Sequence, residues 1–364
     1  MRKIIRDILY DNRKDLSSFP LRAALRVISW LYCAGALLRN MLYDRKLLKT
    51  FTVPCRVISI GNIIAGGTGK TPVTIMTARL LALAGYRVAV VSRGYKRNGS
   101  GVLAVSDSTG IQASSADSGD EPYLIAASLP GVPVVVGKER YSAAMEAFNR
   151  FDPDIILLDD AFQHRRLSRD ADVVTLDANY PFGNGYFLPR GVLRESPRSL
   201  SRAQTVIVTR STSGRQFSEV TQKVLEFNPG VSIFRSRHGA RTFRNPTGRE
   251  EFELSAIKGK KIAALSNIVN FASFYQLLES LGAEIVLKRP MDDHHKYLLE
   301  ELEQIREDAL LSGAELLVMT AKDERNLPVE YSPSVRIQEY VLDIEALLEG
   351  EESTYISCVL GRNH

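Results

Sequence analysis

Apolar and polar positions along this 364-residue chain alternate between two kinds of segment. RVISI (56–60), RVAVVS (87–92), VPVVVG (132–137), DIILLDD (154–160), DVVTLD (172–177) and TVIVT (205–209) are apolar at nearly every position and rich in β-branched residues. That is the pattern of strands covered on both faces. Between them, TPVTIMTARLLALAG and ERYSAAMEAFNRF carry apolar residues at helical spacing. Strands alternating with helices predict βαβ units, an α/β fold with a mainly parallel sheet and helices on both faces.

The pattern weakens near residue 212, where RSTSGRQFSEV is polar and SIFRSRHGARTFRN alternates like an exposed strand. A second α/β series follows: KIAALS, FASFYQLLESLG, EIVLK, YLLEELEQIREDALLSG and ELLVMT. The expected organisation is an N-terminal segment (1–45), a larger α/β domain (46–212), a two-stranded linker (213–252) and a smaller C-terminal α/β domain (253–364). Neither an internal repeat nor a low-complexity tract interrupts this plan.

The N-terminal segment contains LRAALRVISWLYCAGALLRNMLYD, whose uncharged run from Val27 to Leu38 is bounded by Arg26 and Arg39. A spanning helix needs about 20 apolar residues. The run is shorter, so it reads as a basic amphipathic helix seated in one leaflet, its arginines at anionic headgroups. An ordinary domain helix is the competing reading. Residues 1–50 hold 11 Lys/Arg against 4 Asp/Glu, so this end carries +7 and the rest −2 of the total +5. A basic end on an otherwise near-neutral chain argues against a nucleic-acid partner. The three cysteines, Cys33, Cys55 and Cys358, are far apart, which suggests neither a zinc site nor a disulfide framework and fits a reducing cytoplasm.

The candidate chemistry begins at SIGNIIAGGTGKTPVTI (59–75). The usual phosphate-loop pattern has a glycine five positions before Gly69, where this chain has Ile64. The context is nevertheless strand, glycine-bearing turn, helix. Gly66, Gly67, Thr68 and Gly69 would let backbone N–H groups converge on one anion at a helix N-terminus. Lys70 would then bridge the β- and γ-phosphates of ATP, and Thr71 would hold Mg²⁺. DIILLDD ends in Asp159 and Asp160, the placing of Walker-B carboxylates beside such a loop.

Four further clusters could line the same site. In SGDEPYL, Asp120 and Glu121 suit a proton acceptor or metal ligand, and equally the first turn of a helix. DDAFQHRRLSRD puts His164 just after the paired aspartates. GNGYFLPRGVLRESPRSLSRA is basic, with Glu195 its lone acid beside Arg194, and suits an anionic headgroup or a solvated face. MDDHHKY gathers Asp292, Asp293, His294 and His295, suiting general-base work or metal binding, and equally a polar turn.

GNIIAGGTGKTP, SRGY, GDEP, LLDDAFQHRRLSRD, FGNGYFLPRGVLRE, DDHHKY and TAKD occur in that order. Together with the apolar N-terminal helix, this set resembles the tetraacyldisaccharide 4'-kinase family from about residue 20 to 325. The resemblance implies a P-loop NTPase-like domain, a smaller C-terminal domain, and ATP- and Mg²⁺-dependent phosphorylation of a tetraacylated glucosamine disaccharide-1-phosphate at its 4'-hydroxyl. The product would be of the lipid IVA type, made in lipid A biosynthesis at the cytoplasmic face of a Gram-negative-type inner membrane. It further implies Asp120 as catalytic aspartate with Glu121 beside it and His294 as its partner across a domain cleft. Lys70 and Thr71 become the phosphate-loop pair, and Asp159, Asp160 and His164 the acidic strand end with its histidine. Arg194 and Glu195 become a functional pair at the substrate. The chain departs from the family pattern at Ala161, Ala321 and SNIVNFASF. A partitioning-type switch ATPase is the alternative, but its signature lysine would fall at Ala65; a GTPase would need an Asn-Lys-x-Asp motif, and none is evident.

Overall fold

Each of the six apolar runs forms a strand, because each has two hydrophobic faces and something to bury both against. The computed structural model describes residues 19–95, 97–246, 250–267, 271–291 and 295–361. The chain divides into two compact units, one of Met1–Arg237 with Ala346–His364, the other of His238–Glu345.

The first unit contains α1 (Phe19–Asp44), β1 (Arg56–Gly61), α2 (Lys70–Leu83), β2 (Val88–Ser92), β3 (Leu103–Asp107), β4 (Gly110–Ile111), α3 (Ser115–Ser118) and α4 (Asp120–Ser128). It continues with β5 (Val134–Val136), α5 (Arg140–Phe151), β6 (Ile155–Asp159), β7 (Ala171–Asp177), β8 (Thr205–Thr209), α6 (Gly214–Leu225) and the first part of β9 (Ser232–Arg244). Strand order is β9-β8-β7-β1-β6-β2-β5-β3-β4, parallel from β9 to β5 and antiparallel at the β3–β4 edge. Alternate residues go to opposite cores: Ile58, Ile155, Leu157 and Val90 to one, Val57, Ile156, Leu158 and Val91 to the other. Strand β1 lies between β6 and β7, so the connections diverge at its carboxyl end, where open α/β sheets bind ligands.

Helix α1 reverses the usual distribution. Its polar Ser29 and Asn40 are buried, while Val27, Ile28, Trp30, Leu31, Leu37 and Leu38 are exposed. Ser29 Oγ donates to Phe187 O at 2.7 Å, and Arg26 lies over the Tyr186 ring. At 26 residues it is longer than the uncharged run suggested, and long and apolar enough to cross a membrane.

The second unit contains the remainder of β9, then β10 (Glu251–Phe252), β11 (Lys261–Ser266), α7 (Phe271–Ser280), β12 (Glu284–Pro290), α8 (Leu299–Leu311), β13 (Leu316–Thr320), α9 (Ala321–Glu324) and most of β14 (Gln338–Glu349). Its parallel sheet runs β12-β11-β13-β14. Asp323 of TAKD is its polar hub. Wholly buried, it accepts from Asn267 N at 2.8 Å, Tyr297 Oη at 2.6 Å and Thr320 N at 2.9 Å. Three loops at the strand ends are thus fixed by one carboxylate.

Two expected boundaries change. Residues 213–236 are not linker: Ser213 caps α6, accepting from Gln216 N, and Val220 and Val224 pack into the first unit's core. The chain's last segment also leaves the second unit. Helix α10 (Glu352–Val359) packs on the first, where Tyr355 is buried with its hydroxyl 2.6 Å from Thr77 Oγ1 and its ring edge-on to Phe234. Tyr355→Phe should cost about 1 kcal/mol, and Tyr355→Ala about 3–5 kcal/mol, by urea unfolding followed on the first unit.

Candidate active site

The turn after β1 is a curled loop held from behind by side chains. Gly66 and Gly69 have φ of 118° and 80°, the left-handed region that favours glycine. A Cβ on Gly69 would also press on Thr209 at 3.3 Å. Thr68 is buried: its hydroxyl meets Asn62 Nδ2 at 2.9 Å and Thr175 Oγ1 at 2.7 Å, and its carbonyl accepts from Thr209 Oγ1. Its side chain is therefore internal, leaving only its backbone N–H for an anion. Arg210 Nη1 donates to Gly67 O at 2.8 Å and to Asp177. Ile64 is buried and bridges to Leu193 as antiparallel strand, with Ala65 N donating to Val192 O at 2.6 Å. A glycine at 64 would surrender that packing, which accounts for the departure from the usual pattern.

Helix α2 starts at Lys70, whose Nζ lies 3.2 Å from Gly66 O and 3.6 Å from Asp160 Oδ1. Asp160 has φ 48° and takes Arg194 Nη1 at 3.0 and 3.3 Å. Burial opposes its ionisation, but Lys70 and Arg194 outweigh it and hold the carboxyl below its ordinary range. The neighbouring Asp159 behaves oppositely. It is fully enclosed, accepting from Thr74 Oγ1 at 3.0 Å and Ser92 Oγ at 3.1 Å. Burial, then the charges of Glu121 and Asp160, push its pKa up to about 6. Two adjacent carboxylates thus differ in role: Asp160 is matched to cations, Asp159 is an underneutralised buried acid.

Asp120 opens α4 and is exposed, with Ser115 Oγ donating to it at 2.8 Å; Glu121 follows, also exposed. Gly119 and Gly94 seat this turn against SRGY. A Cβ on Gly119 would meet Tyr95 O at 3.0 Å, and one on Gly94 would meet Ser118 O at 3.1 Å. GDEP and SRGY are therefore one packed unit.

His164 is pushed down to about 4 by burial and then by the charges of Arg140 and Arg93, so it is neutral near pH 7. Arg140 is the residue that sequence reasoning missed, read only as one position of a helix. It is 3% exposed, donates to Gly137 O at 2.8 Å, and among the described residues has no hydrogen-bond partner for Nε and Nη2. Burial lowers its pKa to about 10, leaving it charged. A hollow of about 370 Å³ lies here, lined by Lys138, Glu139, Arg140, His164, Arg166 and Leu167. Three cations against one acid make it suited to an anion.

Arg194 belongs to the site through Asp160, but its neighbour Glu195 does not face it. Glu195 is fully buried, with Oε2 accepting Nη1 and Nη2 of Arg202 at 3.0 Å each and Asn40 Nδ2 at 2.6 Å. Expected to touch substrate, it is instead bound within the protein, because a lone acid in a basic segment is captured by buried cations. His294, with Asp292 and Asp293, lies outside the described residues. His295 pairs with Glu301 at 2.7 Å.

The family model described as Tetraacyldisaccharide-1-P 4'-kinase matches residues 21–360. Tetraacyldisaccharide 4'-kinase of Syntrophus aciditrophicus is 44% identical over 87% of this chain and 87% of its own, and that of Anaeromyxobacter sp. Fw109-5 is 37% identical over 96% and 94%. The crystal structure of LpxK from Aquifex aeolicus in complex with ATP is similar with a TM-score of 0.71 and 30% identity, over 94% of this chain and 99% of that one.

Asp159 carries a pH signature. With its folded-state pKa raised, its ionisation opposes folding, fully above about pH 6 and progressively less as pH falls toward the ordinary 3.8. Asp159→Asn should therefore raise the melting temperature at pH 8, and the gain should shrink as scanning calorimetry is repeated from pH 6 toward pH 4. A pH-independent difference would contradict the raised pKa.

Proposed function

The chain belongs to the tetraacyldisaccharide-1-P 4'-kinase family and so is an ATP-dependent kinase that phosphorylates a lipid disaccharide-1-phosphate at its 4'-hydroxyl in lipid A biosynthesis, and we propose the following residue roles for that transfer. The observation that carries them is the convergence of Lys70 and Arg194 on Asp160 at the mouth of the curled loop, with Asp159 enclosed behind it.

The backbone of Gly66 to Thr71 would cradle the ATP phosphates, with Lys70 exchanging part of its attraction to Asp160 for the β- and γ-phosphates. The nearby side chains fit Mg²⁺, since Thr71, Asp159, Asp160 and Glu121 offer only hard oxygen donors. Among the described residues no group of three or more His, Cys, Asp or Glu is assembled to hold a metal alone, as suits an ion that keeps phosphate and water ligands. Thr71 and Asp159 would hold it, and when bound it supplies charge neutralisation at the phosphates. Asp120 would accept the proton of the 4'-hydroxyl as the new oxygen–phosphorus bond forms and the bond to the β–γ bridging oxygen breaks, releasing ADP. The resemblance pairs it with His294. Arg140, Lys138, Arg166 and neutral His164 would receive an anionic part of the lipid headgroup.

The lipid-facing role falls to α1. One stripe is engaged by the first unit from Arg26 at Tyr186 to Asp44 at Arg165, while the opposite stripe presents Val27, Leu31 and Leu38. A helix engaged along one side for most of its length is suited to lie in one leaflet, at the cytoplasmic face of the inner membrane, with its basic residues at anionic headgroups.

The direct test is transfer of labelled γ-phosphate to purified tetraacyl disaccharide-1-phosphate. Asp120→Ala should lower kcat by about 10²–10⁴-fold while the Kd for ATP stays within about twofold; near-normal turnover removes Asp120 as the base. Leu31→Glu with Leu38→Glu should weaken co-sedimentation with anionic phospholipid vesicles by about tenfold or more without changing ATP affinity. Undiminished sedimentation would sink the one-leaflet reading.

A further inference from the structure

The segment Val192–Glu195 backs the phosphate loop through an isolated antiparallel bridge from Leu193 to Ile64. Arg194 N donates to Ile63 O at 2.8 Å and Glu195 N to the same oxygen at 3.3 Å, beside the bond from Ala65 N to Val192 O. Any displacement of this segment is therefore passed to the backbone that leads into Gly66. Its last residue, Glu195, is gripped from two sides, by Arg202 from within the domain and by Asn40 from α1. Arg202 in turn lies over the Phe162 ring, its centre 4.3 Å away, and Phe162 presses on Gly61 so closely that a Cβ there would sit 2.6 Å from its backbone nitrogen.

The same part of α1 reaches the other side of the site. Arg165, next to His164, donates to Asn40 O at 3.0 Å and to Asp44 Oδ1 at 2.6 Å, and lies over the Tyr43 ring. Residues 40–44 thus hold both the segment behind the phosphate loop and the turn following the paired aspartates. Lipid attachment does not require a buried Asn on the inner stripe of such a helix. A polar side chain there, 2.6 Å from a fully buried carboxylate, is costly unless it specifies one seating of the helix.

We propose that Asn40 is a positioning residue for phosphoryl transfer: through Glu195 it fixes the segment that backs the phosphate loop, making the last turns of the lipid-facing helix a structural part of the ATP site. This rests on residues 66–71 being that ATP site. The helix's influence on the segment behind the phosphate loop then centres on the Asn40–Glu195 hydrogen bond, with Arg39 3.9 Å from the same carboxylate, and can be separated from its affinity for lipid, which resides on the opposite stripe.

The test uses the full chain and three variants. Asn40→Asp sets a second carboxylate against Glu195, and like charges at that distance in a buried place strongly disfavour the docked arrangement. Asn40→Asp combined with Glu195→Gln restores a hydrogen bond with donor and acceptor exchanged. ATP affinity by calorimetry, kcat on micellar lipid substrate, and vesicle co-sedimentation are measured for each. The expected result is that Asn40→Asp weakens ATP binding about tenfold and lowers kcat, leaves co-sedimentation unchanged, and is restored to within about threefold by the double variant. Unaltered ATP affinity in Asn40→Asp overturns the proposal, and so does a loss that the double variant fails to restore, which would mark a generally damaged fold. Lys70→Ala separates the underlying reading. If it retains ATP affinity, the phosphate-site assignment falls and the positioning role with it; if it loses affinity while Asn40→Asp does not, only the positioning role falls.

Discussion

A carboxylate buried at the end of a central strand constrains everything around it. Asp159 has no access to water, and its ionised form is tolerated only because Thr74 from the helix after the phosphate loop and Ser92 from the adjacent strand donate to it. Those donors are available because β6 sits between β1 and β2, with α2 packed across them. The sheet order, the direction of α2 and the start of the phosphate loop are thus bound up with one acid group. Lys70 and Arg194 are committed to Asp160, and Asp159 is left underneutralised. An acid in that condition has much to gain from a nearby divalent cation, more than an exposed aspartate would.

The same economy of charge explains the surrounding histidine and arginines. Arg140 is buried near Asp159 and Asp160, and burial, aided by its field and that of Arg93, keeps His164 neutral. His164 therefore contributes hydrogen-bonding capacity rather than charge, while Arg140 contributes charge with two N–H groups unpaired within the described protein. Distinct tasks are assigned to neighbouring residues by burial, not by residue type.

Legibility in the sequence followed the range of the interactions. Six of the nine strands in the first unit's sheet were readable because burial on both faces leaves a continuous apolar run. The phosphate loop was readable through glycine and lysine spacing, although the reason for Ile64 was not, since its partner Leu193 is remote in sequence. Helix α6 was hidden in a polar stretch whose Ser213 looked like loop and is a cap. Strand β14 contains LDIEALLE, a run of good helix formers, and is extended because pairing in the sheet, beside β9, overrides propensity. Arg140 and the inward-turned Glu195 could not be recognised, because what distinguishes them is desolvation and partners far along the chain. Asn40 was invisible for the same reason: a single amide in an apolar helix says nothing until the carboxylate that it meets is known.

The return of the chain's last helix has a bearing on how the protein is made. Residues 346–364 belong to the nucleotide-binding unit but are synthesised after all of the inserted second unit. The Tyr355–Thr77 bond joins residues 278 positions apart, so the early sheet emerges from the ribosome with one core still uncovered. The intervening unit, whose contacts are closer in sequence, has everything it needs to fold first. Biogenesis thereby acquires a built-in sequence of events, in which the nucleotide-binding core is sealed only after the second unit has been made.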